Sequence, residues 1–392
     1  MVKNSQIKSR ISAICIYIAL ILINIAYCPG IILTSTYKVI IGITTVVILI
    51  GILINLKRTY KFIFKTSLIP ITLLLTYSSI VFCLTGIFCF NAYSNIFLSF
   101  TCFIFGFSIC DSSPKSLASI CAIYIFSAIF LGIYSIITNL GSFEISDTYA
   151  MSVKNSSSVL LGTAMILCLP LIRCAKKRLT CIFWICASTL LFICILTFRS
   201  RTCMLGVVLA YIIYLMRSKI SIPRLLCNRI TIFIALSIIG LTICLNVNFS
   251  SYIYDAIFAG KDANNVNSIT SGRIHLFKYA WEFFTLNPLF GNLQQDRALP
   301  PIDNFILSQL TWYGIVGALW NLVAYIIVWM ICIRGLFKSS IKCTYIFLTL
   351  LLLCITSITE GPFPFGPGTP VICSWTLLGW WYRGSKYPLT NI

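Results

Sequence analysis

Nine acidic side chains and one histidine are all that this chain of 392 residues holds of those types. Charged residues of either sign make up 10% of it, against roughly 25% in an ordinary soluble domain. So few ionic groups could not cover a water-facing surface, which excludes a soluble globule. The scarcity narrows the chemistry as well. His275 stands alone, so no histidine pair is there to hold zinc. No Walker loop, dinucleotide fingerprint, HExxH pair or nucleophile elbow occurs.

What the chain does have is apolar sequence: 59% hydrophobic residues and a mean hydropathy of +0.97. A membrane-crossing helix needs roughly 20 mostly apolar residues, and windows of about that length place twelve spans. They lie near 11–28, 39–56, 66–88, 92–110, 117–138, 158–174, 179–198, 202–216, 230–246, 305–333, 341–358 and 369–382. The expected fold is an all-α polytopic membrane protein, one integral membrane domain over 1–392. Met1–Cys28 has the basic start and apolar run of a secretion signal. Tyr27, however, is bulky where processing wants a small residue, so the segment reads as an uncleaved first span.

The 19 cysteines fall mostly inside these spans, and none lies between Leu245 and Met330. A disulfide framework would place pairs in such an outer segment. The thiols therefore read as small apolar packing residues.

A net charge of +20 would suggest nucleic acid in a soluble protein. Here it sorts by topology. With the N-terminus inside and alternating spans, the inner loops hold 21 of the 29 basic residues and one acid, Asp111. The outer side then holds eight bases and eight acids, so the whole excess follows the positive-inside rule and no nucleic-acid partner is needed. Both termini are expected on the cytoplasmic side.

The outer connections are uneven. Residues 246–304, between spans nine and ten, form much the longest loop, and long loops usually carry function. Within it Ser271–Phe284 reads as a helix: Ser271 is a fitting N-cap, Asn287-Pro288 ends it, and Ile274, Phe277, Trp281 and Phe284 share one face. Such a helix would lie on the membrane surface or cover a cavity. Arg273 falls in its first turn, and Arg199 and Arg201 stand at the outer start of the eighth span. Cations there oppose the helix dipole, unless an anion joins them, because helix N-termini and guanidinium groups both favour phosphate. An anionic ligand is the reading for Arg201 and Arg273. For Arg199, snorkelling to the headgroups is an equal explanation. Asp303, after Pro300-Pro301, either caps the tenth span or faces the same cavity as the arginines, where burial would let it act as a base. Gly314 and Gly317 allow close helix packing. Glu360–Gly368 is an aromatic, proline-rich outer turn, either a stiff connection or part of a saccharide path. Arg297, Asn304 and Glu360 complete the substrate-contact candidates. No DxD-like pair occurs in the outer loops, so any activating group has to be carried by the substrate, and no cofactor or metal is expected.

Three segments together resemble the O-antigen polymerase and ligase superfamily of bacterial membrane proteins. They are Arg199-Ser200-Arg201-Thr202; Ser271-Gly272-Arg273 with Asn287-Pro288-Leu289-Phe290-Gly291; and Asp303-Asn304-Phe305 with Tyr313-Gly314-Ile315-Val316-Gly317. The similarity is one of motif order and of topology, about a dozen spans with one large periplasmic loop late in the chain. Ligases typically carry His before the Asn of the third motif. Asp303 stands there instead, which is more like the polymerases. The resemblance implies metal-independent glycosyl transfer on the periplasmic face of the inner membrane, from undecaprenyl-diphosphate-linked repeat units. Arg201 and Arg273 would bind the diphosphate and Asp303 would serve the acceptor hydroxyl. It also implies membrane lipids as surroundings and a separate chain-length regulator as partner. The rival expectations are a ligase that moves glycan to lipid A core and, in another class, a lipid-linked oligosaccharide flippase.

Overall fold

Hydrocarbon offers backbone N–H and C=O groups no partner, so a chain this apolar has to close its hydrogen bonds within each segment, as an α-helix does. The structure, a computed structural model, describes residues 2–28, 30–31, 34–56, 60, 76–77, 79–81, 83–84, 90–109, 114–138, 154–198, 200–218, 273–292, 302–341, 343–361, 363–366 and 368–386. Among these it has no strand and eleven helices with described bounds. They are α1 (Val2–Ala26), α2 (Ser35–Ile54), α3 (Phe90–Ile109), α4 (Pro114–Thr138), α5 (Lys154–Cys174), α6 (Arg178–Phe198), α7 (Arg201–Ser218), α8 (Arg273–Leu286), α9 (Phe305–Lys338), α10 (Thr344–Thr356) and α11 (Thr369–Lys386). Six, namely α2, α4, α5, α6, α7 and α9, contain segments long and apolar enough to cross a membrane. Shorter apolar runs lie in α1, α3 and α10. Helices thus cover ten of the twelve expected spans. The segment 230–246 lies outside the described residues, as does most of 66–88.

Hydroxyls inside these helices bond back to the preceding turn, which keeps them satisfied in an apolar setting. Thr44 donates to the Ile40 carbonyl at 2.8 Å, Ser99 to that of Asn95 at 2.9 Å and Thr356 to that of Leu352 at 2.9 Å. The core centres on α10, whose residues from Thr344 to Cys354 are all buried. A helix apolar all round must sit inside others, and α10 packs against α5, α7, α9 and α11. The peripheral α2 exposes Val39, Ile43, Val46, Leu49, Ile50 and Leu53, a lipid-type surface.

Small residues set the closest approaches. A Cβ on Gly106 of α3 would sit 1.9 Å from the Thr376 carbonyl oxygen of α11, and one on Gly379 of α11 would sit 1.9 Å from that of Phe103. The two backbones touch there because neither glycine has a side chain to hold them apart.

The helix that matters most for the site is broken. α9 runs from Phe305 to Lys338, but Gly314 has φ 64° and ψ −175°, outside the helical region. Gly314 therefore does more than the close helix packing expected of it. At the break the chain segment after α8 enters. Ile315 N–H donates to Pro288 O at 2.8 Å, Val316 N–H to Leu289 O at 2.9 Å, and Asn292 N–H to Thr311 O at 3.0 Å. The entry requires two glycines: a Cβ on Gly291 would lie 2.3 Å from Trp312 O, and one on Gly314 would lie 2.4 Å from Leu289 C. Both also have positive φ, a conformation that only glycine adopts readily.

Candidate functional site

One end of the bundle gathers the starts of α5, α7, α8 and α9 with the end of α10. The segment following α10 ties them together. Phe305 N–H donates to Ser357 O at 3.0 Å, the Asn304 Nδ2 donates to Ile358 O at 2.9 Å, and the Thr359 hydroxyl donates to that of Thr202 at 2.9 Å. Gly361 comes so near that a Cβ would meet Ile302 O at 2.8 Å. This bonding places Glu360 beside Asp303 and pins the start of α7 to both.

Arg273, the first residue of α8, lies between the two acids. Its Nη2 donates to Glu360 Oε1 at 3.0 Å, and its Nε is 4.0 Å from Asp303 Oδ2. The Asn155 amide at the start of α5 also donates to Glu360 Oε1. Arg201, the first residue of α7, is near enough for its charge to interact with that of Arg273. Two guanidinium groups and two carboxylates thus share one end of the molecule at the N-terminal ends of three helices. Those ends carry partial positive charge, so the helix dipoles and both arginines favour an incoming anion.

Asp303 is the exposed member, with 40% of its side chain accessible, while Glu360 has 14% and Arg273 has 23%. Burial of its carboxyl raises the pKa of Asp303, and the Arg273 charge partly pulls it back. A raised pKa makes this carboxylate a stronger base than an ordinary one.

The residues singled out by sequence take different places. Arg201, Arg273, Asp303 and Glu360 come together. Asn304 sits beside them, but its side chain is occupied: Oδ1 accepts from Leu307 N–H at 2.9 Å as the N-cap of α9, and Nδ2 holds Ile358. The cap is therefore Asn304 and not Asp303, which leaves Asp303 turned to Arg273. Arg199 and Arg297 lie outside the described residues, as do Ser271 and most of the loop 246–304. His275 is exposed on α8.

On α8, Ala280 and Phe284 are buried, while Ile274 and Trp281 are exposed. The small Ala280 lets α9 come close to the α8 backbone: the Thr311 hydroxyl of α9 donates to Ala280 O at 3.1 Å.

Asn155 was not anticipated. Its only signal in the sequence is the polar start Lys154-Asn155-Ser156-Ser157-Ser158 of an otherwise apolar helix. The backbone pairing of Pro288–Gly291 with Gly314–Val316 was also hidden, because the two segments read as separate motifs. Among the described residues no group of three or more His, Cys, Asp or Glu is placed to share a metal ion. No known family model matches the chain, and no curated protein does either.

Proposed function

We infer that the chain is a membrane glycosyltransferase of the O-antigen polymerase type. It joins undecaprenyl-diphosphate-linked oligosaccharide repeat units into a polysaccharide on the periplasmic face of the bacterial inner membrane. The observation that carries this reading is the meeting of Arg201 and Arg273, from separate helix N-termini, beside the partly accessible Asp303. A diphosphate is the doubly charged anion such a pair fits, and guanidinium groups aimed at a leaving group stabilise the charge that develops there.

In the proposed reaction the acceptor sugar hydroxyl attacks the anomeric carbon of the donor glycan. The bond from that carbon to the diphosphate oxygen breaks, and the electron pair leaves with the lipid diphosphate between Arg201 and Arg273. The hydroxyl proton passes to the Asp303 carboxylate. Glu360, held by Asn155, keeps Arg273 in place before the donor arrives. No metal or nucleotide takes part, the leaving group being already on the substrate. The long loop is periplasmic in this reading, both termini are cytoplasmic, and a chain-length regulator is the expected protein partner.

A flippase would use a broken helix differently, presenting unwound backbone to its cargo at mid-membrane depth. At the break in α9, the Ile315 and Val316 N–H groups are already bonded to Pro288 and Leu289, which disfavours that use.

Deleting the gene and running a lipopolysaccharide gel tests the proposal. A polymerase mutant keeps core bearing a single repeat unit and loses the ladder. Bare core would assign the chain to ligation or export instead. A reporter fused at Asn264 is expected to read periplasmic, and a cytoplasmic signal would overturn the topology.

A further inference from the structure

At its break α9 doubles back on itself. In a straight helix Gln309 and Asn321 would stand about 18 Å apart, at a rise of about 1.5 Å per residue. Instead the Asn321 amide donates to Gln309 Oε1 at 2.5 Å. The rings of Phe305 and Tyr325 are stacked, with centroids 5.0 Å apart. The stretch 305–313 therefore runs antiparallel to the stretch 316–338, with Gly314 at the tip, and α9 is a hairpin of two helices.

The fold-back returns Tyr325 to the level of the site. Its ring lies against Phe305, which follows Asp303 and Asn304, and its hydroxyl is 2.9 Å from Ser357 Oγ, on the segment that leads to Glu360. Ser357 gives its own proton to the Cys354 carbonyl at 2.6 Å, so Tyr325 is the donor of the pair. The Phe305 N–H donates to Ser357 O at 3.0 Å, which closes a ring of contacts through Tyr325, Phe305 and Ser357. All three residues are buried. Tyr325 thus touches both segments that carry the carboxylates of the site and ties them to the membrane-spanning half of α9. A phenol in such apolar surroundings is costly unless its O–H is bonded, and the bond it makes is to the Glu360 segment.

We propose that Tyr325 is a positioning residue: its ring and hydroxyl fix Asp303 and Glu360 against each other, so that Arg273 is held between them. The consequence for turnover rests on the glycosyl-transfer reading, whereas the placing of the carboxylates does not depend on the reaction.

The test compares Tyr325→Phe, which keeps the ring and removes the O–H, with Ser357→Ala, which removes the acceptor, and with the double variant, all in reconstituted membranes. Infrared difference spectra across an acid titration follow the Asp303 carboxyl, assigned by its loss in Asp303→Asn. Turnover is measured with undecaprenyl-diphosphate-linked repeat units. Arg273 stands 4.0 Å from Asp303 and lowers its pKa, so a loosened Asp303 is expected to titrate about half a pH unit higher in each single variant. A small misplacement of the reacting groups is expected to lower kcat about tenfold. KM should stay within about twofold, since no group that binds substrate is removed. The double variant should match the single ones, because all three lack the same bond. An Asp303 titration unmoved in the single variants, full turnover in either of them, or a double variant whose shift is the sum of the two would each overturn the proposal. Should one variant fail to fold, the other decides. Absence of glycan transfer by the unaltered protein would refute the glycosyl-transfer reading alone, and the titration would still decide the placing.

Discussion

Arg201 and Arg217 stand at opposite ends of the same helix, α7, and their surroundings are opposite in kind. At the far end Arg217 donates to the carbonyls of Leu336 and Ser339, the latter at 2.7 Å, where α9 finishes. Arg383 does the same for α3, donating to Phe107 O at 3.0 Å with its guanidinium 5.3 Å from the Phe107 ring centroid. These arginines answer the unpaired carbonyls and negative dipole of helix C-termini. Arg201 and Arg273 lie at N-termini, where the dipole opposes them, and Arg273 is offset by Asp303 and Glu360. One pair of arginines is favoured by the helix ends it meets. The other is set against its own helices and gains from an anion.

Replacing the two pairs should therefore have separable consequences. The largest effect is expected from Arg201→Ala combined with Arg273→Ala, which should abolish the polysaccharide ladder at normal protein level, each single change lowering turnover by about 10²-fold or more. If either single variant still makes full-length chains, the charge clamp is wrong.

Asp303→Asn comes next, with a loss of about 10²-fold or more for a general base. The pH sign follows from burial. The Asp303 pKa is raised, so the ionised base is lost as pH falls through a value above the ordinary carboxylate pKa of about 3.9. An assay in reconstituted membranes should show this acid limb. The stability consequence has the opposite sense: a raised folded-state pKa favours the native state when the carboxyl is protonated, and this contribution is lost as pH rises through that value. Asp303→Asn is accordingly expected to leave the melting temperature at neutral pH unchanged or higher while activity falls. A clear drop in melting temperature would give Asp303 a structural role instead.

At the opposite end, Arg217→Ala should lower stability by about 1–3 kcal/mol, the cost of leaving buried acceptors unpaired, with activity per folded molecule retained. Thermal denaturation in detergent reads the first quantity and a turnover assay the second. The smallest effect belongs to Asn304→Ala, which removes the α9 cap for about 1 kcal/mol. Its activity per folded molecule should persist, since neither polar atom of that side chain is turned to the site. Loss of turnover in a fully folded Asn304→Ala protein would restore Asn304 to substrate contact.

The legibility of the chain divides along the same line. Helices appear at ten of the expected apolar segments because hydrocarbon leaves a backbone no other way to bond, and a run such as Thr344–Thr356 carries that message whatever surrounds it. Arg201, Arg273 and Asp303 could be singled out because an ionisable residue beside such a run is conspicuous. What could not be read was partnership. Asp303 and Asn304 are both good caps by residue type, and only the position of Ile358 and Leu307 assigns the cap to Asn304. Glu360, read from sequence as part of an outer turn and as a substrate contact, carries Arg273 and Asn155 on its carboxylate, a partnership that no local pattern announces.

Sequence alone determined that the protein is helical and membrane-compatible, and which few charges stand out from its apolar spans, because each of those properties is local to a stretch of about 20 residues. Tertiary structure decided that α9 breaks at Gly314, that the chain after α8 fills the break, and that the starts of four helices meet around Arg273. Those outcomes depend on backbones approaching within contact distance at Gly291, Gly314 and Gly361. A missing side chain permits such an approach, but nothing in its own neighbourhood says which distant segment will take the space.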